Sequence, residues 1–272
     1  MNRLTHLFSK KQEDLLNIYF TAGYPNLEDT GTLVLALEKA GVDLIEVGIP
    51  YSDPLADGPT IQESGQIALK NGMNLALLLK QISIVRQNTE IPLILMGYFN
   101  QVMQYGVERF VQDSVKAGVD GVILPDLPLY EYEQFYRSIF EEAGLQISFL
   151  MTPQTSPERI RKIDQLTSGF IYMVSSSAIT GGKKDISEQQ LAYFDRISNM
   201  QLSHPRLIGF GISNHETFAT ACKYANGAII GSAFIRALAG SENIEQTCLQ
   251  FVKMIKEEEQ CLNFKENKSG LI

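Results

Sequence analysis

A chain of 272 residues, 44% apolar and 20% charged, carries enough apolar material for a sizeable core, which sets aside fibrous and disordered classes. Its formal charge of −8 offers no basic face to nucleic acid or anionic lipid, so any phosphate has to be held locally. The opening MNRLTHLFSKKQ lacks the apolar stretch of a signal peptide, no uncharged apolar run reaches spanning length, and three cysteines without metal spacing suit a reducing compartment. A cytoplasmic protein that binds neither membrane nor nucleic acid is the expectation.

In chain order, the amphipathic LTHLFSKKQ comes first and is suited to plugging one end of a barrel. Apolar runs at 17–21, 44–48, 92–96, 121–124, 146–151, 170–174, 207–210 and 227–230 predict eight strands. Helical patterns separate them: DTGTLVLALEKA, LALLLKQISIVRQ, VERFVQDSVKA, EYEQFYRSIFEEA, SPERIRKIDQL, SEQQLAYFDRISNM, HETFATACKY and finally NIEQTCLQFVKMIKEEEQCL. Two further short helices are expected, within PTIQESGQIALKNG after the second strand and at SAFIRAL after the eighth.

EKAGVDLIEVGIP and VKAGVDGVILPDLP nearly repeat, and EEAGLQISFLMTP and KYANGAIIGS share their grammar of helix end, glycine and apolar run. A glycine that closes a helix before a fully apolar strand is the joint of a βα unit with a buried parallel strand. The alternation predicts a single (β/α)8 TIM barrel over residues 1–272, with about 264–272 as a frayed tail.

Chemistry in such a barrel belongs at the C-terminal strand ends. Glu46 is the only acid within a strand end, and neither lysine nor histidine stands there, which argues against a Schiff-base or a metal-dependent aldolase. The three histidines are scattered and read as structural or surface residues. A carboxylate in the apolar LIEVG is costly to ionise, so its pKa should be raised, as suits a group that both gives and takes a proton.

The following YSDPLADGPT contains Asp53, whose place before Pro54 reads as a turn, and Asp57, which spacing alone leaves open between a helix cap and a catalytic group. GFGIS at 209–213 and IIGSAF at 229–234 fall after strands seven and eight, where barrels commonly bind phosphate through backbone N–H groups and a short helix.

EVGIPYSDPLADGPTIQ closely resembles the signature of the tryptophan synthase alpha chain family. The likeness extends through FTAGYP, AGVDLIEVG, GYFN, LPDLP, AITG, GFGIS and IIGSA. The resemblance implies aldol cleavage of indole-3-glycerol phosphate to indole and glyceraldehyde 3-phosphate, with no cofactor in this chain. It assigns proton transfer to Glu46 and, to Asp57, acceptance of the indole N–H and stabilisation of the ring cation.

Phe20, Tyr98, Tyr172 and Phe210 are matched to the indole slot; Thr180 and Gly181 to a lid at 175–184 that reaches the phosphate; and Gly211, Gly231 and Ser232 to the phosphate itself. Ser-Ser-Ser-Ala at 175–178 departs from the Ser-Arg-Ser-Gly of the enterobacterial form. The resemblance also implies an α2β2 heterotetramer with a beta chain that uses pyridoxal phosphate; the exposed-looking apolar residues of YFNQVMQY and LPDLPLY are suited to that contact. Three alternatives share the fold: a free-standing lyase, a catalytically weak barrel that activates the beta chain, and a phosphosugar isomerase with Asp126 as second acid.

Overall fold

The computed structural model describes residues 2–175, 187–209 and 211–257. Nine parallel strands are formed: β1 (Leu15–Thr21), β2 (Leu44–Gly48), β3 (Leu93–Met96), β4 (Gly121–Ile123), β5 (Gln146–Ser148), β6 (Leu150–Met151), β7 (Ile171–Val174), β8 (Arg206–Gly209) and β9 (Gly227–Ile230). Their order is β5-β4-β3-β2-β1-β9-β8-β7-β6, with β5 and β6 at opposite ends of the sheet. Only Phe149 separates those two in sequence, and its carbonyl accepts a hydrogen bond from the Tyr172 amide at 2.9 Å. One predicted strand, 146–151, is thus divided: its first half pairs with β4 and its second with β7, as the stagger of a barrel requires. The result is a (β/α)8 TIM barrel.

The helices begin and end where local chemistry dictates. Helices Asp29–Ala40 and Val107–Ala117 stop at Gly41 and Gly118, whose φ of 92° and 89° lets each chain turn back toward a strand. Gly227 does not play this part: helix His215–Cys222 ends at Lys223, and Gly227 opens β9. The two extra helices are present as Pro59–Lys70, with proline at its first position, and Ser232–Leu238. A further helix, Phe99–Tyr105, was not foreseen; Gly106 separates it from the helix that follows. Helix 129–143 contains a π-turn at Tyr132–Tyr136.

Strand parity divides the interior. Leu15, Leu44, Ile94, Ile123, Phe170, Tyr172, Val174, Leu207 and Ile229 pack inside the barrel with Leu4, while Leu16, Ile18, Phe20, Ile45 and Val47 belong to the larger core between strands and helices. Leu4 comes from helix Arg3–Lys10, which closes the N-terminal end of the barrel as the amphipathic start predicts.

Asp120 anchors that plug. It accepts the Leu93 amide at 2.9 Å and pairs with Arg86 at 3.1 Å and Arg3 at 3.3 Å, while its carbonyl takes the Asn2 amide at 2.8 Å. Leu4→Ala should therefore destabilise the barrel by about 2–4 kcal/mol, a loss that urea denaturation would measure. None of the described helices is long and apolar enough to cross a membrane.

Candidate active site

The inner face of β2 carries Leu44, Glu46 and Gly48. Apolar neighbours in sequence drive the strand into the core, and parity then aims Glu46 into the barrel beside its register partners, Tyr19 on β1 and Ile94 on β3. The side chain is fully buried. Asn17, also on the inner face of β1, donates from Nδ2 to Glu46 Oε1 at 2.5 Å, and Oε2 has no hydrogen-bond partner. Burial pushes the Glu46 pKa up to about 8, with the Asn17 bond acting against it, so near neutrality the group is mostly an acid with a proton to give.

Two tyrosines wall this carboxyl. A Cβ at Gly48 would fall 2.1 Å from the Tyr19 hydroxyl, and one at Gly209 would fall 2.2 Å from that of Tyr172. Each phenol therefore lies over a glycine of the neighbouring strand, which has to lack a side chain. Burial raises both phenol pKa values, and the Asp57 and Glu46 charges raise them further, which places both acids within electrostatic reach of the same rings. Tyr19 also approaches the loop after β9: a Cβ at Gly231 would stand 3.2 Å from its ring. Gly48→Ala should displace the Tyr19 ring, costing about 1–3 kcal/mol by overpacking, and a thermal melt would register it.

The register corrects one expectation. Phe20, expected in the aromatic slot, shares the parity of Leu16 and Ile18, whereas Tyr19 has the parity of the inward-facing Leu15 and lies over Gly48 and beside Gly231. In a strand apolar on both faces, sequence does not say which parity points inward. The one available signal was Asn17, a polar residue two positions before Tyr19 in an otherwise apolar run.

Asp57 is half-buried in the loop after β2, a segment folded by backbone bonds from Leu55 N to the Asp53 carbonyl at 2.9 Å and from Asp57 N to the Pro54 carbonyl at 3.2 Å. The capping alternative does not hold. Gly58 is the N-cap of helix Pro59–Lys70, without a side-chain cap, while Asp57 Oδ2 accepts the Tyr98 hydroxyl at 2.9 Å. The Tyr98 oxygen in turn accepts the Ala56 amide at 2.9 Å. Burial raises the Asp57 pKa and the Tyr98 bond opposes that rise.

Tyr98→Phe should remove this contact and destabilise the barrel by about 1 kcal/mol, which urea denaturation would measure. Asp53 is exposed; its carboxylate takes the Ser52 hydroxyl at 2.5 Å, and its carbonyl rather than its side chain makes the turn.

Beyond the last two strands, Gly211 follows β8 with φ 79° and is exposed. Gly231 and Ser232 open the short helix Ser232–Leu238, where the Gly231 carbonyl accepts the Ile235 amide at 3.0 Å. Thr180, Gly181 and Phe210 lie outside the described residues. Asp126, the second acid of the isomerase alternative, is exposed and accepts the Phe99 amide at 2.7 Å, a helix-end role. His204 bonds Asp164 at 3.1 Å and His215 bonds the Ile255 carbonyl at 3.0 Å, both structural contacts.

Comparison with known proteins follows the same line. The family profile described as "Tryptophan synthase alpha chain" matches residues 5–266. The chain is similar to the tryptophan synthase alpha chain of Phocaeicola vulgatus, 56% identical over 238 residues that cover 88% of this chain and 92% of that protein. It is equally similar to that of Flavobacterium johnsoniae, 56% identical over 250 residues covering 90% and 98%.

Among solved structures, tryptophan synthase subunit alpha from Legionella pneumophila superimposes with a TM-score of 0.84 at 32% identity, covering 94% of this chain and 97% of that one. A chain of the tryptophan synthase complex from Pyrococcus furiosus does so with a TM-score of 0.82 at 32% identity, covering 90% and 98%.

Proposed function

Because this chain belongs to the tryptophan synthase alpha chain family, whose members are lyases of tryptophan biosynthesis, we propose that it cleaves indole-3-glycerol phosphate to indole and glyceraldehyde 3-phosphate. The observation that carries the reading is Glu46: a buried carboxyl, protonated near neutrality, with one oxygen bonded and the other without a partner.

In the proposed reaction Glu46 gives its proton to C3 of the indole ring, and the Asp57 carboxylate accepts the ring N–H and stabilises the positive charge that develops. Glu46, now ionised, takes the proton of the glycerol hydroxyl. The carbonyl forms, the carbon–carbon bond breaks, and its electron pair returns to the ring, leaving Glu46 protonated as at the start.

Tyr98 holds Asp57 in place, Tyr19 and Tyr172 offer flat walls for the indole together with Phe210 by family likeness, and the phosphate goes to Gly211, Gly231 and Ser232 with Thr180 and Gly181. The proposed catalytic pair is thus Glu46 and Asp57. The reaction as proposed needs no cofactor in this chain.

The indole passes, in this reading, to a beta chain in an α2β2 assembly. Support comes from the solved Pyrococcus furiosus complex and from apolar side chains left in water on the segments expected to dock: Met103 at 50% exposure and Tyr130 at 65%. The reading extends to one barrel domain, in which β1 pairs with β9, working in the cytoplasm.

Incubation with indole-3-glycerol phosphate, with and without a tryptophan synthase beta chain, tests the activity. Indole release that rises with the beta chain is expected; no indole under either condition would overturn it. Co-elution with the beta chain in gel filtration separates the assembled form from a free-standing lyase.

A further inference from the structure

We infer that Asn17 is a positioning residue for Glu46: its side-chain amide holds Oε1 and so confines the transferable proton to Oε2. The inference deepens the lyase reading and rests on it.

The geometry is specific. Asn17 is fully buried on the inner face of β1, one pleat below Tyr19, and reaches Glu46 from the adjacent strand at 2.5 Å. An N–H donor aimed at Oε1 favours the carbonyl form of that oxygen, the better acceptor of the two in an acid, so the carboxylic acid carries its hydrogen on Oε2, which has no other partner. The Asn17 carbonyl oxygen is likewise buried without a partner. The opposite amide orientation would draw the acid's proton toward Asn17 and away from the ring that has to receive it.

The neutrality of the partner matters as much as its position. A lysine or arginine at 17 would hold Glu46 ionised and remove its proton-giving form; an aliphatic residue would leave the ionised form without a donor in a buried site. An amide supports the carboxylate once the proton has left and does not prevent the acid from forming. It suits a group that has to pass through both states in each turnover.

The titratable groups coupled to the Glu46 charge are Tyr19 from β1 and Tyr172 from β7, and Asp57 from the loop after β2 acts on the same two rings. Neither phenol ionises in the working range, and Asp57 stands with Tyr98. Asn17 is the side chain that donates a hydrogen bond to the Glu46 carboxyl.

Asn17→Leu tests this at nearly constant volume, with Asn17→Ser as a second variant whose hydroxyl is too short to reach. The Glu46 carboxyl is titrated by carbon-13 NMR, with Glu46→Gln to assign its signal, and the pH profile of kcat for indole formation is measured on the same proteins with beta chain present. Both variants should raise the Glu46 midpoint by about one pH unit and lower kcat at neutral pH by about 10- to 100-fold, with KM within about threefold of the unsubstituted chain.

A merely structural Asn17 would alter thermal stability and leave the midpoint in place. An unmoved midpoint overturns the inference, as does an unchanged kcat with a moved one. If the unsubstituted chain makes no indole, the lyase reading fails and the inference with it; an active chain with an indifferent Asn17 refutes the inference alone.

Discussion

Glu46→Gln is expected to lower indole formation by about a thousandfold or more while the barrel stays folded. Glutamine keeps the size of the side chain and can still accept the Asn17 N–H through its own carbonyl oxygen, so the packing around Tyr19 and Gly48 is retained. What it lacks is a proton that can leave and return.

The same substitution has a second signature, in stability. The Glu46 pKa is raised in the folded chain from 4.5 to about 8, so the folded state binds its proton more tightly than the unfolded one. The stability linked to that proton is fully present below the unfolded value of 4.5 and is lost progressively as the pH rises toward about 8. Glutamine never ionises, so relative to the unsubstituted chain the variant should gain stability between those limits, by a few kcal/mol on the order-of-magnitude scale set by linkage. Urea denaturation at pH 5 and pH 9 measures this; a variant that is less stable at alkaline pH would contradict the buried, protonated Glu46.

Asp57→Asn is expected to lower turnover by about 10²- to 10³-fold, with stability changed by less than about 1 kcal/mol. Asparagine still accepts the Tyr98 hydroxyl and the loop after β2 keeps its backbone bonds, so that contact survives. The missing element is negative charge beside the indole nitrogen at the moment the ring becomes cationic. Because that charge develops only on the way to the transition state, the loss should fall on kcat far more than on KM. Steady-state kinetics with indole-3-glycerol phosphate check it, and a defect confined to KM would reduce Asp57 to a binding group.

Much of the fold was legible in the chain. LIEVG and GAII form strands at the predicted bounds, and the helices at 29–40 and 107–117 end before the glycines that predicted their ends. Helix Phe99–Tyr105 leaves no periodic signal in the sequence, because seven residues span only two turns. The break at Phe149 was equally hidden: nothing in QISFLM distinguishes a strand paired to one neighbour along its length from one shared between two.

The sequence by itself determined that the chain is an alternating β/α barrel, that a lone acid stands in an apolar strand, and that glycine-rich loops follow the last two strands, because hydrophobic period and turn chemistry are local properties. Only the tertiary structure decided that Tyr19 rather than Phe20 faces the interior, that Asp57 answers to Tyr98 rather than to a helix end, and that Asn17 holds Glu46. Each of those depends on the register between strands or on a loop closing over its neighbour, and such pairings join residues 29 and 41 positions apart that no local pattern connects.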